Sequence, residues 1–417
     1  MKKVVLYAVT ASMIFCNYAC NKGDTPKNVK PFEPIEDVKQ AEPIGLTVKQ
    51  AEKADADNRF AFNMFREVSA LSGDPNTFFS PLSLNMALGM LYNGSSGETR
   101  AEMAEVLGMA DFSETEINEY YQKMSQALLK IDPLTDISIA NSIWHRNTLT
   151  VKQPFIDINK KYFDAEVQSL DFSKSDAADI INKWCADKTK NKINEIVQKP
   201  ISDGIMYLIN ALYFKSKWKN QFDKAQTNLD DFTKSDDQKK RVNMMEQTTT
   251  LPYYADEHLK CVEMPYGNEA FSMVAVLPAN DMDIDRLIEY LDNTTWQAVV
   301  KNLHEREVRI KLPRFKIECD IPLNNPVMNV GMKRIFEGGF GNISDAALFV
   351  SVIKQKTFVE VNEEGTEAAA VTIISMDYSS GPSSEVQFFA NRPFLYLIKE
   401  KSTGMILFIG RMDEPVE

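Results

Sequence analysis

A short segment that joins a strand to a loop constrains this chain more than any other feature. It reads Glu363-Glu364-Gly365-Thr366-Glu367-Ala368-Ala369-Ala370 and follows a β-branched stretch at residues 357–361. Glycine bends easily, and the tiny side chains after it fit almost anywhere. Such a segment could leave a loop and slide between two existing strands, because no side chain on it would collide with the neighbours. Residues 363–370 therefore carry the pattern of a strand at a place in the chain where a loop is expected.

Side chains alternate from residue 366 to residue 377 as they would along a strand. Both carboxylates, those of Glu367 and Asp377, fall on one face, so the other face could be buried without a charge. Because alanine also favours helices, a short helix or an edge strand at residues 367–371 is the alternative. The uncharged face consists of Thr366, Ala368, Ala370, Thr372, Ile374 and Met376.

Five further motifs along the chain resemble those of the serpin family and occur in the family's order. The resemblance extends from about Thr47 to the C-terminus. One such motif would be weak evidence, but five in order are highly specific. They are residues 76–83 (NTFFSPLS), 209–215 (INALYFK) with Trp218, 309–315 (RIKLPRF), 388–394 (FFANRPF) and 404–411 (GMILFIGR).

The resemblance implies the serpin fold, an α+β domain with three β-sheets, a surrounding set of helices and an exposed reactive loop that can insert into the central sheet. Periodicity indicates the same class, because helical patterns dominate the first half of the chain and strand patterns the second. Ser80 and Pro81 suit the start of a helix. Residues 205–214 are almost all apolar, which predicts a strand buried on both faces. The other predicted elements are helices at residues 55–69 and 176–197 and strands at 137–144, 271–277, 308–315, 394–399 and 405–410.

The resemblance also implies which residues serve the loop. The segment from Glu363 to Ala370 matches the hinge, and Arg314 with Glu363 matches a salt bridge near the top of the central sheet. A polar cluster is expected beneath the point where that sheet opens, with Gln355 where the family often has a histidine. Its Asn210 interrupts an apolar strand, and a buried amide without hydrogen bonds costs about 1 kcal/mol or more. The cluster consists of Ser80, Ser83, Asn210 and Gln355.

The activity that the resemblance implies is covalent trapping of a serine or cysteine protease. The target would attack the loop, become esterified to it and be dragged across the molecule as the loop inserts into the sheet. The small residues Thr366 and Ala368 to Ala370 favour this activity, and the larger Val371 falls on the face expected to meet solvent. The alternative is a non-inhibitory member of the family that acts as a binding protein. A lipoprotein hydrolase unrelated to the family is a third hypothesis.

The bond that the target attacks is predicted from the family's usual spacing after Gly365, which points to Ser379-Ser380. Phe388 lies further away than usual, which would also permit Ser383. Met376 and Tyr378 are the better baits for chymotrypsin-like proteases, and Ser379 or Ile374 for elastase-like ones. Because no Arg or Lys lies between residues 366 and 387, trypsin-like targets are disfavoured.

The N-terminus predicts export and a lipid anchor. Lys2 and Lys3 precede an apolar run at residues 4–15, too short to span a bilayer and typical of a signal peptide. Cys20 resembles the acylated cysteine of bacterial lipoproteins, with Cys16 or a plain secretory cleavage as weaker alternatives. We therefore predict a signal peptide at 1–19, a lipidated and disordered tether at 20–46 and a single domain at 47–417. The location would be the bacterial cell envelope, at the outer membrane, facing the periplasm or the cell surface.

Composition argues against several other classes. A net charge of −12 disfavours nucleic acid, since phosphate binding needs a basic face. Three isolated histidines, without H-E-x-x-H or a Cys/His cluster, predict no metal, no cofactor and no catalytic site. The body carries Cys185, Cys261 and Cys319, an odd number that cannot all pair, so disulfides are not expected to stabilise it. The expectation is a monomeric inhibitor that contacts a membrane only through its lipid.

Overall fold

The computed structural model describes residues 39–71, 75–201, 204–366 and 385–417. The predicted signal peptide and Cys20 lie outside these ranges. The helices are α1 (Val48–Ser69), α2 (Pro81–Gly94), α3 (Gly97–Val106), α4 (Glu114–Leu128), α5 (Gln153–Phe163), α6 (Ala177–Lys188), α7 (Ile284–Tyr290), α8 (Asn293–Lys301) and α9 (Asn324–Asn329). The strands are β1 (Thr77–Phe79), β2 (Asp136–Arg146), β3 (Glu166–Leu170), β4 (Met206–Lys217), β5 (Asn228–Thr233), β6 (Lys239–Ala255), β7 (Leu259–Pro265), β8 (Phe271–Pro278), β9 (His304–Pro313), β10 (Phe315–Pro322), β11 (Lys354–Asn362), β12 (Gly365–Thr366), β13 (Val386–Phe389), β14 (Phe394–Glu400) and β15 (Ile406–Met412).

Helix starts follow local capping rules. Thr47 and Gln50 form a capping box at the start of α1, which places that start earlier than the predicted residue 55. At α2 the side chain of Ser80 accepts a hydrogen bond from the backbone N–H of Ser83, and Pro81 occupies the first turn as predicted. Both helices are therefore specified by a few residues at their N-termini.

The predicted helix at residues 176–197 is wrong in its second half, because α6 ends at Lys188. The chain then takes positive φ angles, 53° at Lys190 and 61° at Asn191, through which no right-handed helix continues. Ile193 and Val197, inside the predicted helix, are buried instead in irregular chain that packs with α6.

Two strand predictions also need correction. The strand predicted at 308–315 is two strands in two sheets, because β9 ends at Pro313 and β10 begins at Phe315. Arg314 lies at the break, where its backbone N–H donates to the carbonyl of Asn243 at 2.9 Å. The apolar run at 205–214 is buried on both faces only in its second half, because the first half of β4 is mostly half-buried and lines a cavity.

Among the described residues the strands form two hydrogen-bonded sheets. The larger sheet has the order β1-β15-β14-β8-β7-β6-β9-β13, with β5 paired to β6. The 17 residues of β6 allow it to pair with β5 and β9 along most of its length and with β7 at its end. β6 thus joins two of the three predicted sheets into one continuous sheet. The smaller sheet has the order β10-β11-β12-β4-β2-β3 and carries the hinge.

Apolar side chains fill two clusters on opposite faces of the smaller sheet. The main core lies between the two sheets and receives one face of α1 and almost all of α2. The second cluster forms where α6 packs on β2 and β4, and it buries Trp144, Trp184, Ile209 and Ala211. Both faces of β4 are therefore covered along part of its length.

The last residues of the predicted tether contact the domain. The backbone N–H of Ala41 donates to the carbonyl of Asn268 at 3.1 Å, and that of Ile44 donates to the Ser402 hydroxyl at 3.0 Å. Residues 39–46 thus belong structurally to the folded body. In the part of the chain that the structure describes, no helix has the length and hydropathy needed to cross a bilayer.

Candidate functional site at the hinge

The hinge enters the smaller sheet at its upper end. Gly365 and Thr366 pair antiparallel with Asn362 and Val361 of β11 on one side, and with Lys217 and Ser216 of β4 on the other. The side chain of Thr366 points inward and is 2% exposed, as the alternation predicted, with its Oγ1 2.6 Å from the hydroxyl of Tyr266. Gly365 and Thr366 therefore already lie as a strand between β11 and β4.

Gly365 is required by this arrangement. Its φ of +152° is one that side chains rarely permit, and a Cβ here would lie 2.1 Å from the carbonyl oxygen of Ser216 and 2.7 Å from the Cα of Lys217. The hinge backbone thus packs directly against the backbone of β4. The position of β4 at these two residues decides whether the hinge can enter.

The turn that precedes the hinge is bound to the segment after β4. The backbone N–H groups of Phe222 and Trp218 donate to the carbonyls of Glu363 and Glu364, each at 2.9 Å. The indole N–H of Trp218 donates to the carbonyl of Asn362 at 2.9 Å, and its ring stacks on Tyr266 with a centroid separation of 4.4 Å. These hydrogen bonds fix the position of the turn relative to the segment after β4.

Both acidic side chains of this turn are buried and held by cations. Arg314 Nε lies 2.7 Å from Glu363 Oε1, and the Thr227 hydroxyl donates to the same oxygen at 2.5 Å. Burial alone would raise the pKa of Glu363, but the hydrogen bonds from Arg314 and Thr227 hold it below its usual range. Glu364 pairs with Lys224 at 2.6 Å, a contact that the sequence did not reveal.

The structure brings the four residues of the predicted polar cluster together. The side-chain amide of Gln355 bonds both backbone groups of Ser80, accepting from its N–H at 2.7 Å and donating to its carbonyl at 2.9 Å. The Ser83 hydroxyl donates to the backbone carbonyl of Asn210 at 3.3 Å. Gln355 thus connects the start of α2 to β11. This is the position at which the family that the chain resembles often has a histidine.

Asn210 has one unsatisfied atom. Its amide nitrogen donates to Asn141 Oδ1 at 2.8 Å, whereas its Oδ1 is buried with no hydrogen-bond partner among the described residues. An unsatisfied buried acceptor costs about 1–3 kcal/mol, so this oxygen could accept a hydrogen bond from a donor placed beside it.

A cavity separates β4 from β11 below the hinge. It measures about 500 Å³ and is lined by β4 from Met206 to Leu212, by β11 from Lys354 to Thr357 and by apolar residues of α2. In the described ranges no ladder pairing joins β11 directly to β4, and β12 alone bridges them. The two strands therefore face each other across a slot that a strand could fill.

The remaining predicted site residues lie outside the described residues, so the structure does not place them. They are Glu367, Ala368, Ala369, Ala370, Met376, Tyr378, Ser379, Ser380 and Cys20. Within the ranges that are described, no group of histidine, cysteine or acidic side chains is arranged to hold a metal ion.

Comparison with known proteins identifies the family. The family model described as serpin (serine protease inhibitor) matches residues 55–415. The chain belongs to the serpin family. Human leukocyte elastase inhibitor is 32% identical over 379 residues, covering 86% of this chain and 98% of that protein. Intracellular coagulation inhibitor 2 of Tachypleus tridentatus is 33% identical, covering 86% of this chain and 90% of that protein.

A solved structure confirms the predicted fold class. The native state of the thermophilic serpin tengpin superposes with a TM-score of 0.81 at 30% identity, covering 91% of this chain and 98% of that one. The α+β serpin fold is thus established for this protein.

The buried ion pair at the hinge predicts a measurable pH dependence. Because the pKa of Glu363 is depressed in the folded state, its contribution to stability is present above the unfolded carboxyl pKa of about 4.3 and is lost as the pH falls through the folded value. Glu363→Gln should lower the free energy of unfolding by about 1–2 kcal/mol at pH 7, and the difference from wild type should shrink below about pH 4. Urea denaturation of both proteins between pH 7 and below about pH 4 measures this difference in the free energy of unfolding.

The matched control is Asp187→Asn, which removes one member of the exposed Lys183–Asp187 pair. This substitution should leave stability unchanged at either pH, because exposed pairs contribute little. An equal loss in both variants, or a loss for Glu363→Gln that persists at low pH, would contradict the assignment.

Proposed function

We propose that this serpin is a covalent trapping inhibitor of serine proteases, acting by cleavage and insertion of its reactive loop. One observation carries the proposal: Gly365 and Thr366 already lie between β11 and β4, above a slot between strands with no direct ladder pairing in the described residues. A chain released by cleavage can continue into the slot from its inserted end. The inhibitor names of two relatives, human leukocyte elastase inhibitor among them, support the same activity.

The chemistry belongs to the target. Its serine hydroxyl adds to the carbonyl carbon of the bait residue, and its own base passes the proton to the departing amine. The peptide bond breaks and an ester joins the target to the loop. A strand of about a dozen residues spans roughly 40 Å, so insertion moves the target to the opposite end of the sheet. Distortion of the target's oxyanion hole and triad there leaves the ester intact.

The register of β12 specifies where each inserted residue would lie. Since β12 is antiparallel to both neighbours, each step forward along the loop is a step back along β4 and β11. Continued in this way, residue 376 reaches Met206, the first residue of β4. On the face of Thr366, the successive partners on β4 and β11 are Phe214 and Val359 for Ala368, Leu212 and Thr357 for Ala370, and Asn210 and Gln355 for Thr372.

These partners fit the loop sequence. Phe214 and Val359 are already buried, so only a small side chain such as that of Ala368 fits between them. Thr372 would bring a hydroxyl to the level of Asn210, whose Oδ1 is buried without a donor in the described structure. Insertion would thus fill the slot and satisfy the acceptor that is left open before cleavage.

The opposite face of the inserted strand carries Val371, which the sequence places on the face expected to meet solvent. In the proposed register Val371 would lie opposite Ala211, and Ile373 would lie opposite Ile209. Both β4 residues are buried in the cluster under α6. We therefore propose that Val371 and Ile373 pack against that cluster, which explains why this face is apolar at those positions.

The bait residues predict the target class. Because no basic residue occurs between 366 and 387, elastase-like or chymotrypsin-like proteases should form SDS-resistant complexes, with attack at Ser379-Ser380 or at Met376 or Tyr378. Trypsin should form none. Mass spectrometry of the protein after brief exposure to each protease identifies the complex and the bond. Rapid stoichiometric inhibition of trypsin, with no effect on the other proteases, would refute this assignment.

The mechanism predicts the effect of a charge at the hinge. Thr366→Arg places a guanidinium where the side chain is buried against Tyr266, which requires its desolvation and displaces packed neighbours. Insertion should slow while the distant bait bond stays cleavable, so the ester hydrolyses first and the inhibitor becomes a substrate. Gel electrophoresis with a sensitive protease should show a complex for wild type and only cleaved chain for the variant.

Thr115→Arg is the matched control, because Thr115 is exposed on α4, and this variant should inhibit like wild type. Cleaved wild-type protein should also melt far above the intact form, since insertion completes the sheet. If wild type forms no complex and cleavage leaves the melting temperature unchanged, the protein is instead a non-inhibitory serpin that acts as a binding protein.

We further propose that the inhibitor is a monomeric bacterial lipoprotein anchored through Cys20. The proposal is supported by the short apolar run before Cys20 and by the proline-containing segment after it. Wild-type protein should partition into detergent and carry the mass of acyl chains, whereas Cys20→Ala should remain in the aqueous phase. Partitioning of Cys20→Ala into detergent with unchanged mass would show that the anchor lies elsewhere.

A further inference from the structure

A buried carboxylate stands beside the wall of β4 that receives the hinge. Asp132 follows α4 in the connection to β2 and is 4% exposed. Its Oδ1 accepts from the backbone N–H of Leu134 at 2.9 Å, and its Oδ2 accepts from the Thr135 hydroxyl at 2.6 Å. The backbone N–H of Asn268 is a third donor. No ion pair reaches this carboxylate within the described residues, so hydrogen bonds alone compensate its burial.

Thr135 links this carboxylate to β4. Its Oγ1 lies 2.7 Å from the Oγ of Ser216, the residue that pairs with Thr366. An ionised carboxylate only accepts hydrogen bonds, so the single proton of Thr135 points to Asp132. Ser216 thus donates to Thr135, and Thr135 donates to Asp132. These bonds fix the side chain of Ser216, which is 1% exposed.

Asp132 also contacts the turn after β7, which carries Tyr266, the residue whose hydroxyl bonds Thr366. A Cβ on Gly267 would lie 2.2 Å from Asp132 Oδ2, so the carboxylate abuts the backbone of this turn. The N–H of Gly267 donates to the carbonyl of Lys217 at 2.9 Å, and Tyr266, the preceding residue, bonds Thr366. One side chain therefore fixes both surfaces that the hinge touches on this side.

We propose that Asp132 is a positioning residue for loop insertion, acting through Thr135 and Ser216 on β4 and through Asn268 on the turn at Tyr266. The inference rests on the proposed function. Gly365 packs directly on the backbone of Ser216 and Lys217, with no room there for a Cβ, so the position of β4 at these two residues determines how the hinge fits beside it. Asp132 belongs to the connection between α4 and β2 and not to the segment that the target is proposed to cleave. Its loss should therefore slow insertion without changing the rate at which the loop is cleaved.

The test compares the fates of the loop in the full-length protein. Asp132→Asn, Thr135→Val and Ser216→Ala are each mixed with a protease that forms an SDS-resistant complex with wild type. The ratio of cleaved inhibitor to complex rises as insertion slows, and loss of one hydrogen bond in the network should raise it about fivefold. The rate of loop cleavage should stay at the wild-type value. A role in stability alone would lower the melting temperature but leave the ratio unchanged.

Thr99→Val is the matched control, because it removes another buried threonine hydroxyl, one that bonds the carbonyl of Gly338 at 3.0 Å. It should leave the ratio at the wild-type value. If Asp132→Asn does not fold, the two hydroxyl variants still decide the proposal. A wild-type ratio in Thr135→Val and Ser216→Ala overturns it and leaves the inhibitory function standing. Absence of any wild-type complex overturns both.

Discussion

The gap between β4 and β11 is the constraint on which the rest of this structure depends. Across most of its length the smaller sheet has a space in place of a central strand, and in the described residues only Gly365 and Thr366 fill it. Backbone groups along such edges lack the ladder partners that a complete sheet provides. In the proposed mechanism the two strands form the binding site for a segment of their own chain, and Gly365 and Thr366 lie at one end of it.

Surrounding contacts keep this gap in place rather than allowing the strands to close. Gln355 fastens β11 to the start of α2, and Asn210 fastens β4 to β2 through Asn141. At the top, the pairs of Glu363 with Arg314 and of Glu364 with Lys224 hold the turn from which the loop departs. In the proposed mechanism, insertion would add hydrogen bonds, each contributing roughly 1 kcal/mol net, and would bury apolar side chains.

Local features of this design could be predicted from the sequence. The cap at Ser80 depends on residues close in sequence, and the alternation after Gly365 follows from the period of a strand. The contact of Arg314 with Glu363 and the polar cluster required the family resemblance. The network of Asp132 with Ser216 and the pair of Lys224 with Glu364 could not be found, because folding brings together residues far apart in the chain. Nothing near Asp132 in sequence distinguishes it from an ordinary turn residue.

Amide hydrogen exchange before and after loop cleavage tests the central claim most directly. The account predicts that cleavage of the wild-type loop slows exchange at least about tenfold along residues 206–215 of β4 and 354–360 of β11. Residues of β6 and β9, which are already paired with each other, should exchange at unchanged rates. Cleaved protein in which the two edges of the gap exchange as fast as in the intact protein would contradict the account.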